Sequence, residues 1–281
     1  MAATRRTVLS GGTPLACLDH GGLGPDLVLM HGAGMKQTSL TAMVGHLTSQ
    51  YRVVTFDFRG HGDSSGDAWT MDTAVADLEA VIDAFELRTP AVGGHSLGGM
   101  VAAAYAQDHP ECPGAVNIDG HGTGRPEQYI GKDPERVAAW IVEAHARGQK
   151  VVDSPFLSAI RFVARLRGRP LANPGVVRQI TELVQQLDLR DSYRKARCPL
   201  LVVSATAPFT GVKSRIMKDP EQMLAAYRAG IRRDLADIGA ANPFVHLVEI
   251  DATHSLVLTH PEQTAALVTE FLSSTGAQRT G

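Results

Sequence analysis

A serine hydroxyl becomes a nucleophile when a sharp turn exposes it and a nearby base takes its proton. Residues 94–98 read Gly94-His95-Ser96-Leu97-Gly98, a Gly-x-Ser-x-Gly pattern. It follows the apolar run Ala91-Val92-Gly93 and precedes an Ala-rich helical stretch from about Met100 to Gln107. On its own the pattern describes any Gly-rich turn. Between a strand and a helix it leaves the serine at a helix N-terminus, where backbone N–H groups favour developing negative charge. The base is expected to be His254, which follows the last expected strand in Glu249-Ile-Asp-Ala-Thr-His254 and precedes the last helix. A histidine there shares a sheet edge with Ser96. Of the 11 histidines, His31, His61 and His95 lie in Gly-rich loops that they are expected to hold by hydrogen bonds. His260 sits before Pro261 at the start of the closing helix, and His121 is the rival base.

The elements that must position these residues alternate along the chain. Apolar residues flanking Gly11-Gly12 predict an opening β-hairpin. Leu27–Met30 and Tyr51–Phe56 are short apolar runs that end in the Gly-rich segments His31–Gly34 and Asp57–Ser64, as buried parallel strands do. A helix is expected over about Met71–Phe85, with Ala74, Val75, Leu78, Val81, Ile82 and Phe85 on one face. Ala115–Ile118 is the next strand, ending in Asp119-Gly120-His121. This rhythm predicts an α/β fold with a mostly parallel central sheet and helices on both faces.

The rhythm then breaks. From Gly122 to Ala196 the spacing is helical, with amphipathic segments near 135–147, 155–167 and 174–187. Strands resume at Leu200–Val203 and Val245–Ile250, with helices near 221–237 and 262–271. The expected organisation is a core of residues 1–121 and 197–281 with a helical cap, 122–196, inserted over the sheet's carboxyl edge. Ser274–Gly281 is expected to be a frayed tail.

Composition narrows the function classes. The chain has 281 residues, 44% hydrophobic and 20% charged, with a net charge of −2. Both signs are interspersed, so nucleic acid and anionic membrane surfaces are not the expected partners; a small molecule is. Cys17, Cys112 and Cys198 are widely spaced and fit no metal-ligand pattern, as in a reducing, cytoplasmic setting. No apolar stretch suits a signal peptide or a membrane span. Oligomeric state cannot be read from such patterns.

Over nearly its whole length the chain resembles the α/β-hydrolase superfamily. The resemblance is carried by His31-Gly-Ala-Gly34, Asp57-Phe-Arg-Gly-His-Gly-Asp-Ser64, Gly94-His-Ser-Leu-Gly-Gly99 and His254 after the last strand. It implies oxyanion donors at the backbone N–H groups of Ala33 and Leu97, structural roles for Asp57 and Asp63, and no metal or organic cofactor. Many members carry the third catalytic group, an acid, after the next-to-last strand. Here Ala207 stands at that place, and no carboxylate occurs between Asp191 and Asp219. Asp119, ending the strand after the nucleophile helix, is the alternative. That placement resembles some haloalkane dehalogenases and zearalenone-type lactonases. Its competing reading is a turn aspartate before Gly120, while Asp251 is expected to cap its own turn.

Relatives that use a carboxylate nucleophile, the dehalogenases and epoxide hydrolases, are excluded by Ser96. The expectation is a serine hydrolase of esterase or lactonase type that cleaves a medium-sized, largely apolar substrate. Trp140, Ile141, Phe156, Leu157, Ile160 and Phe162 are the cap residues expected to line its pocket. Arginines 161, 165, 167 and 169 are expected to form a solvated face. Carbon–carbon cleavage of a diketone, thioester hydrolysis and a ligand-binding receptor role are the alternatives on the same fold.

Overall fold

A computed structural model describes residues 3–122, 124–166, 171–207 and 220–279. The hairpin β1 (Thr4–Ser10) and β2 (Thr13–Asp19) turns at Gly11-Gly12. Then come β3 (Asp26–Met30), α1 (Thr41–Leu47), β4 (Arg52–Phe56), α2 (Met71–Ala84), β5 (Ala91–His95), α3 (Leu97–Asp108) and β6 (Ala115–Ile118). Four helices follow: α4 (Pro134–Val152), α5 (Pro155–Leu166), α6 (Pro174–Gln186) and α7 (Leu189–Lys195). The chain closes with β7 (Leu200–Ala205), α8 (Pro220–Ala241), β8 (Val245–Ile250), α9 (Leu256–Thr259) and α10 (Pro261–Arg279).

The strands form one sheet in the order β1-β2-β4-β3-β5-β6-β7-β8. Pairing is antiparallel from β1 to β2 and from β2 to β4, and parallel everywhere else. The central strands are apolar on both faces because both faces are covered. Val28, Met30, Val92 and Val202 join the core under α2 and α3, while Leu27, Leu29, Val116 and Val203 join a second core with α1 and α10. Burying one such side chain contributes about 1.5–3 kcal/mol. The sheet is thus pinned from two sides, and the carboxyl ends of its strands become a rigid platform.

Two features differ from what the sequence suggested. Part of the expected 122–196 insertion packs into the main core. Val176 and Ile180 of α6, with Leu189 and Tyr193 of α7, lie in the main core beside the sheet. Asn173 N–H bonds the Gly60 carbonyl, and the Gln179 amide accepts from Trp69 N–H. The α7 segment is too short and too polar to announce itself by periodicity. At the C-terminus the expected frayed tail is helical through Arg279, with Thr275 buried and its hydroxyl bonded to the Leu272 carbonyl. Among the described residues, no helix is long and apolar enough to cross a membrane.

Candidate active site

Ser96 sits between β5 and α3 with φ 54° and ψ −113°, a conformation that side chains rarely adopt and that costs about 1–3 kcal/mol. The turn is held by Ser96 N–H on the Ile118 carbonyl at 2.9 Å and Met100 N–H on the Ser96 carbonyl at 3.1 Å. Only glycine fits at 98, where a Cβ would stand 2.4 Å from the Met30 carbonyl oxygen. The strain and the close approach together aim the Ser96 side chain off the sheet edge.

His254 follows β8, and its Nε2 lies 3.1 Å from Ser96 Oγ. Its Nδ1 donates to Asp119 Oδ2 at 2.7 Å. That bond fixes the tautomer, leaving the Nε2 lone pair to accept the serine proton. Asp119 leaves β6 in the left-handed region at φ 53°. Its second oxygen, Oδ1, accepts Ala205 N–H from the end of the neighbouring strand β7 at 2.9 Å. Burial by itself would raise the Asp119 carboxyl. The His254 hydrogen bond, the nearby imidazoles and the Ala205 N–H more than offset it and hold the group below its ordinary value.

The structure therefore brings Ser96, His254 and Asp119 into one hydrogen-bonded chain. At the other candidate position, Ala207 presents no acid. Its carbonyl and that of Thr206 accept from the Arg228 guanidinium. Asp251 is exposed. Asp57 is buried and structural, with its carboxylate accepting Gln37 N–H at 2.7 Å and Asp63 N–H at 2.9 Å.

Ala33 lies in the loop after β3, whose Gly32 packs beside Ser96, and Leu97 follows the serine at the start of α3. Leu97 is the first residue of α3, so its N–H has no intrahelical acceptor. Among the described residues neither that N–H nor that of Ala33 makes a hydrogen bond. Two neutral imidazoles stitch the Ala33 loop in place. His31 Nδ1 donates to the Gly32 carbonyl at 2.8 Å while its Nε2 accepts Phe58 N–H at 3.1 Å. His61 Nε2 accepts Gly34 N–H at 3.1 Å.

The expected pocket residues are placed differently. Trp140 and Ile141 pack against Tyr129, Val137, Met223 and Tyr227, a small core of their own. Phe156, Ile160 and Phe162 on α5 are exposed, at 76%, 40% and 64%, and Leu157 is half-buried. They stand outside the lining of a cavity beside α6–α7 and α8, because helical spacing marks an apolar face without saying what covers it. The arginines at 167 and 169 and the side chains at 161 and 165 lie outside the described residues. That small cavity, open to solvent on one side, lies instead among Gly122, Arg125, Gln128, α6–α7 and α8. Its wall includes His121, Tyr193 and Tyr227 but neither Ser96 nor His254.

Three supports of the site take roles that the reading of the sequence did not assign. His95 Nε2 donates to the His254 carbonyl at 2.7 Å, tying two segments 159 residues apart. Asn117 exchanges hydrogen bonds with Gly120 and so shapes the Asp119 turn. An Asn inside an otherwise apolar strand was the available signal. The third is His121, expected as the rival base and found beside Asp119, while His254 is the imidazole that meets Ser96 Oγ.

Sequence and fold comparisons agree with this architecture. The chain is 26% identical over 275 residues to the pimeloyl-[acyl-carrier protein] methyl ester esterase of Methylococcus capsulatus, covering 92% of this chain and 98% of that one. Its fold matches the crystal structure of E-2-(acetamidomethylene)succinate hydrolase with TM-score 0.68 at 23% identity, covering 97% and 100% of the two chains. The enol-lactonase of Burkholderia xenovorans LB400 matches with TM-score 0.66 at 21% identity, covering 95% and 100%. Residues 27–267 match the family model described as the alpha/beta hydrolase family, and the chain belongs to that family.

Proposed function

We propose that this hydrolase cleaves a carboxylic ester or lactone through an acyl-enzyme on Ser96. The observation that carries the reading is the relay from Ser96 Oγ through His254 to Asp119, at 3.1 and 2.7 Å. His254 Nε2 takes the serine proton as Oγ attacks the substrate carbonyl. Asp119, ionised and held from two sides, stabilises the imidazolium that results. The N–H groups of Ala33 and Leu97 receive the oxyanion, and His254 then protonates the departing alkoxide. Water, deprotonated by the same imidazole, releases the acid and restores the serine.

The names of the relatives support the class of bond: a methyl ester in one and an enol-lactone in another. We read the substrate as medium-sized and largely apolar, as the apolar spacing of the inserted helices suggests. The test is hydrolysis of short-chain p-nitrophenyl esters together with labelling by a fluorophosphonate. The wild type should turn over and become labelled, and Ser96→Ala should do neither. Equal turnover by Ser96→Ala would overturn the reading.

A further inference from the structure

His121 lies two residues beyond Asp119, and its imidazole faces the same carboxylate. Its Nε2 is 3.7 Å from Asp119 Oδ1. That exceeds hydrogen-bond length, and a shift of under about 1 Å would close it. The nitrogen makes no hydrogen bond among the described residues, although the side chain is only 11% exposed. A buried polar atom left unpaired is costly, so its retention calls for a reason. Asp119 thus stands between two imidazoles, bonded to one and approached by the other.

The surroundings decide what the second imidazole can do. Arg228 of α8 approaches with its guanidinium anchored on the Thr206 and Ala207 carbonyls. Tyr227 donates its hydroxyl to the Gly122 carbonyl, and Tyr193 shares its hydroxyl with Asn117. On the cavity side Asp188 pairs with Arg190 at 3.0 Å and with Arg125 at 2.8 Å, and Arg190 also meets Asp234 at 3.4 Å. One carboxylate therefore faces three potential cations: His254, His121 and Arg228. Burial disfavours charge on His121; Asp119 pulls the other way, and His254 and Arg228 add to the opposition, so the net shift is downward.

We propose that His121 is a positioning residue that acts on the hydrolytic reaction through Asp119. Neutral, it presents an N–H to Oδ1 and steadies the carboxylate while His254 carries the serine proton. Protonated, it captures Asp119 and withdraws the support that His254 needs. The proposal rests on the serine-hydrolase reading, and it makes acid inhibition depend on two protons rather than one.

The test follows kcat/KM for a short-chain p-nitrophenyl ester from neutral pH downward in the wild type, His121→Asn and His121→Leu. The wild-type acid limb should steepen from first to second order in protons as His121 takes its proton. His121→Asn, which keeps an uncharged N–H donor, should retain the plateau with a first-order limb. His121→Leu should lose about tenfold in kcat with KM unchanged, the lower end of what a hydrogen bond to a charged group is worth. Profiles that superimpose after scaling would overturn the proposal. A second readout needs no turnover: the His121 ring signal in an NMR titration of histidine-labelled protein, assigned by its loss in His121→Asn. Its midpoint should fall further in Asp119→Asn, because a favourable charge is removed. A midpoint unmoved by that change overturns the proposal even if the hydrolase reading stands. An inactive wild type whose midpoint does move sinks the hydrolase reading and leaves the linkage intact.

Discussion

The Asp119 carboxylate accepts the backbone N–H of Ala205 at 2.9 Å, across the carboxyl ends of the adjacent parallel strands β6 and β7. One oxygen of the acid is thereby fixed to the sheet, and the other is left for His254. The strand that usually brings the acid contributes a backbone donor to it here. The carboxylate is aimed by a main-chain donor rather than by another side chain.

Asp119→Asn should fold normally and lose about 10⁴-fold in kcat for ester hydrolysis, because an amide favours the wrong His254 tautomer. Steady-state kinetics beside a thermal melt separate chemistry from folding. Wild-type rates in the variant would place the acid elsewhere.

Acid should weaken the fold through His31. Burial pushes its imidazole down to about 3, with His61 also opposing its charge, and its Nε2 is already used as an acceptor for Phe58 N–H. The unfolded chain takes up this proton near the ordinary value of 6.5, so between 6.5 and about 3 it binds more protons than the folded chain. Stability should therefore fall on acidification through that window, by about 1.4 kcal/mol per pH unit for this one group. Melting temperatures across the window should slope less in His31→Gln. An equal slope would assign the acid sensitivity to other groups.

Arg59 and Asp77 form a two-pronged pair at 2.6 and 2.7 Å that joins the loop after β4 to α2, with the Asp77 side chain fully buried. Asp77→Ala strands the guanidinium and should cost about 3–5 kcal/mol. The double change Arg59→Met/Asp77→Leu should recover much of that loss. Denaturant midpoints decide it; a single variant as stable as the wild type would mean that the pair contributes nothing.

Gly98→Ala should be among the most damaging single-methyl changes in the chain. Its Cβ would press on the Met30 carbonyl oxygen at 2.4 Å, and main chain cannot step aside. A loss of about 3 kcal/mol or more is expected, with the activity. Gly148→Ala, within α4 and facing open space, should instead stabilise by about 0.5–1 kcal/mol. Calorimetry on the two variants compares the same added methyl in opposite settings.

Much of the platform was legible because its signals are local. Apolar runs ending in Gly-rich loops mark β3, β4, β5 and β6, and the strained turn at Ser96 needs glycines that can be read directly. Asp119 could be singled out only against the gap at Ala207. What escaped depends on tertiary placement. Trp140 and Phe156 both belong to helical apolar patterns, yet one packs against Tyr129 and the other faces solvent. Likewise, nothing near His95 announces a bond to His254 on a segment 159 residues away.

Anchoring the acid on a neighbouring strand's amide has a consequence for how the molecule can diversify. The connection leaving β7 is relieved of supplying a carboxylate to the imidazole. It becomes a segment that evolution or an engineer can rewrite for length, charge or substrate contact, while the proton-transfer apparatus stays bound to the sheet behind it.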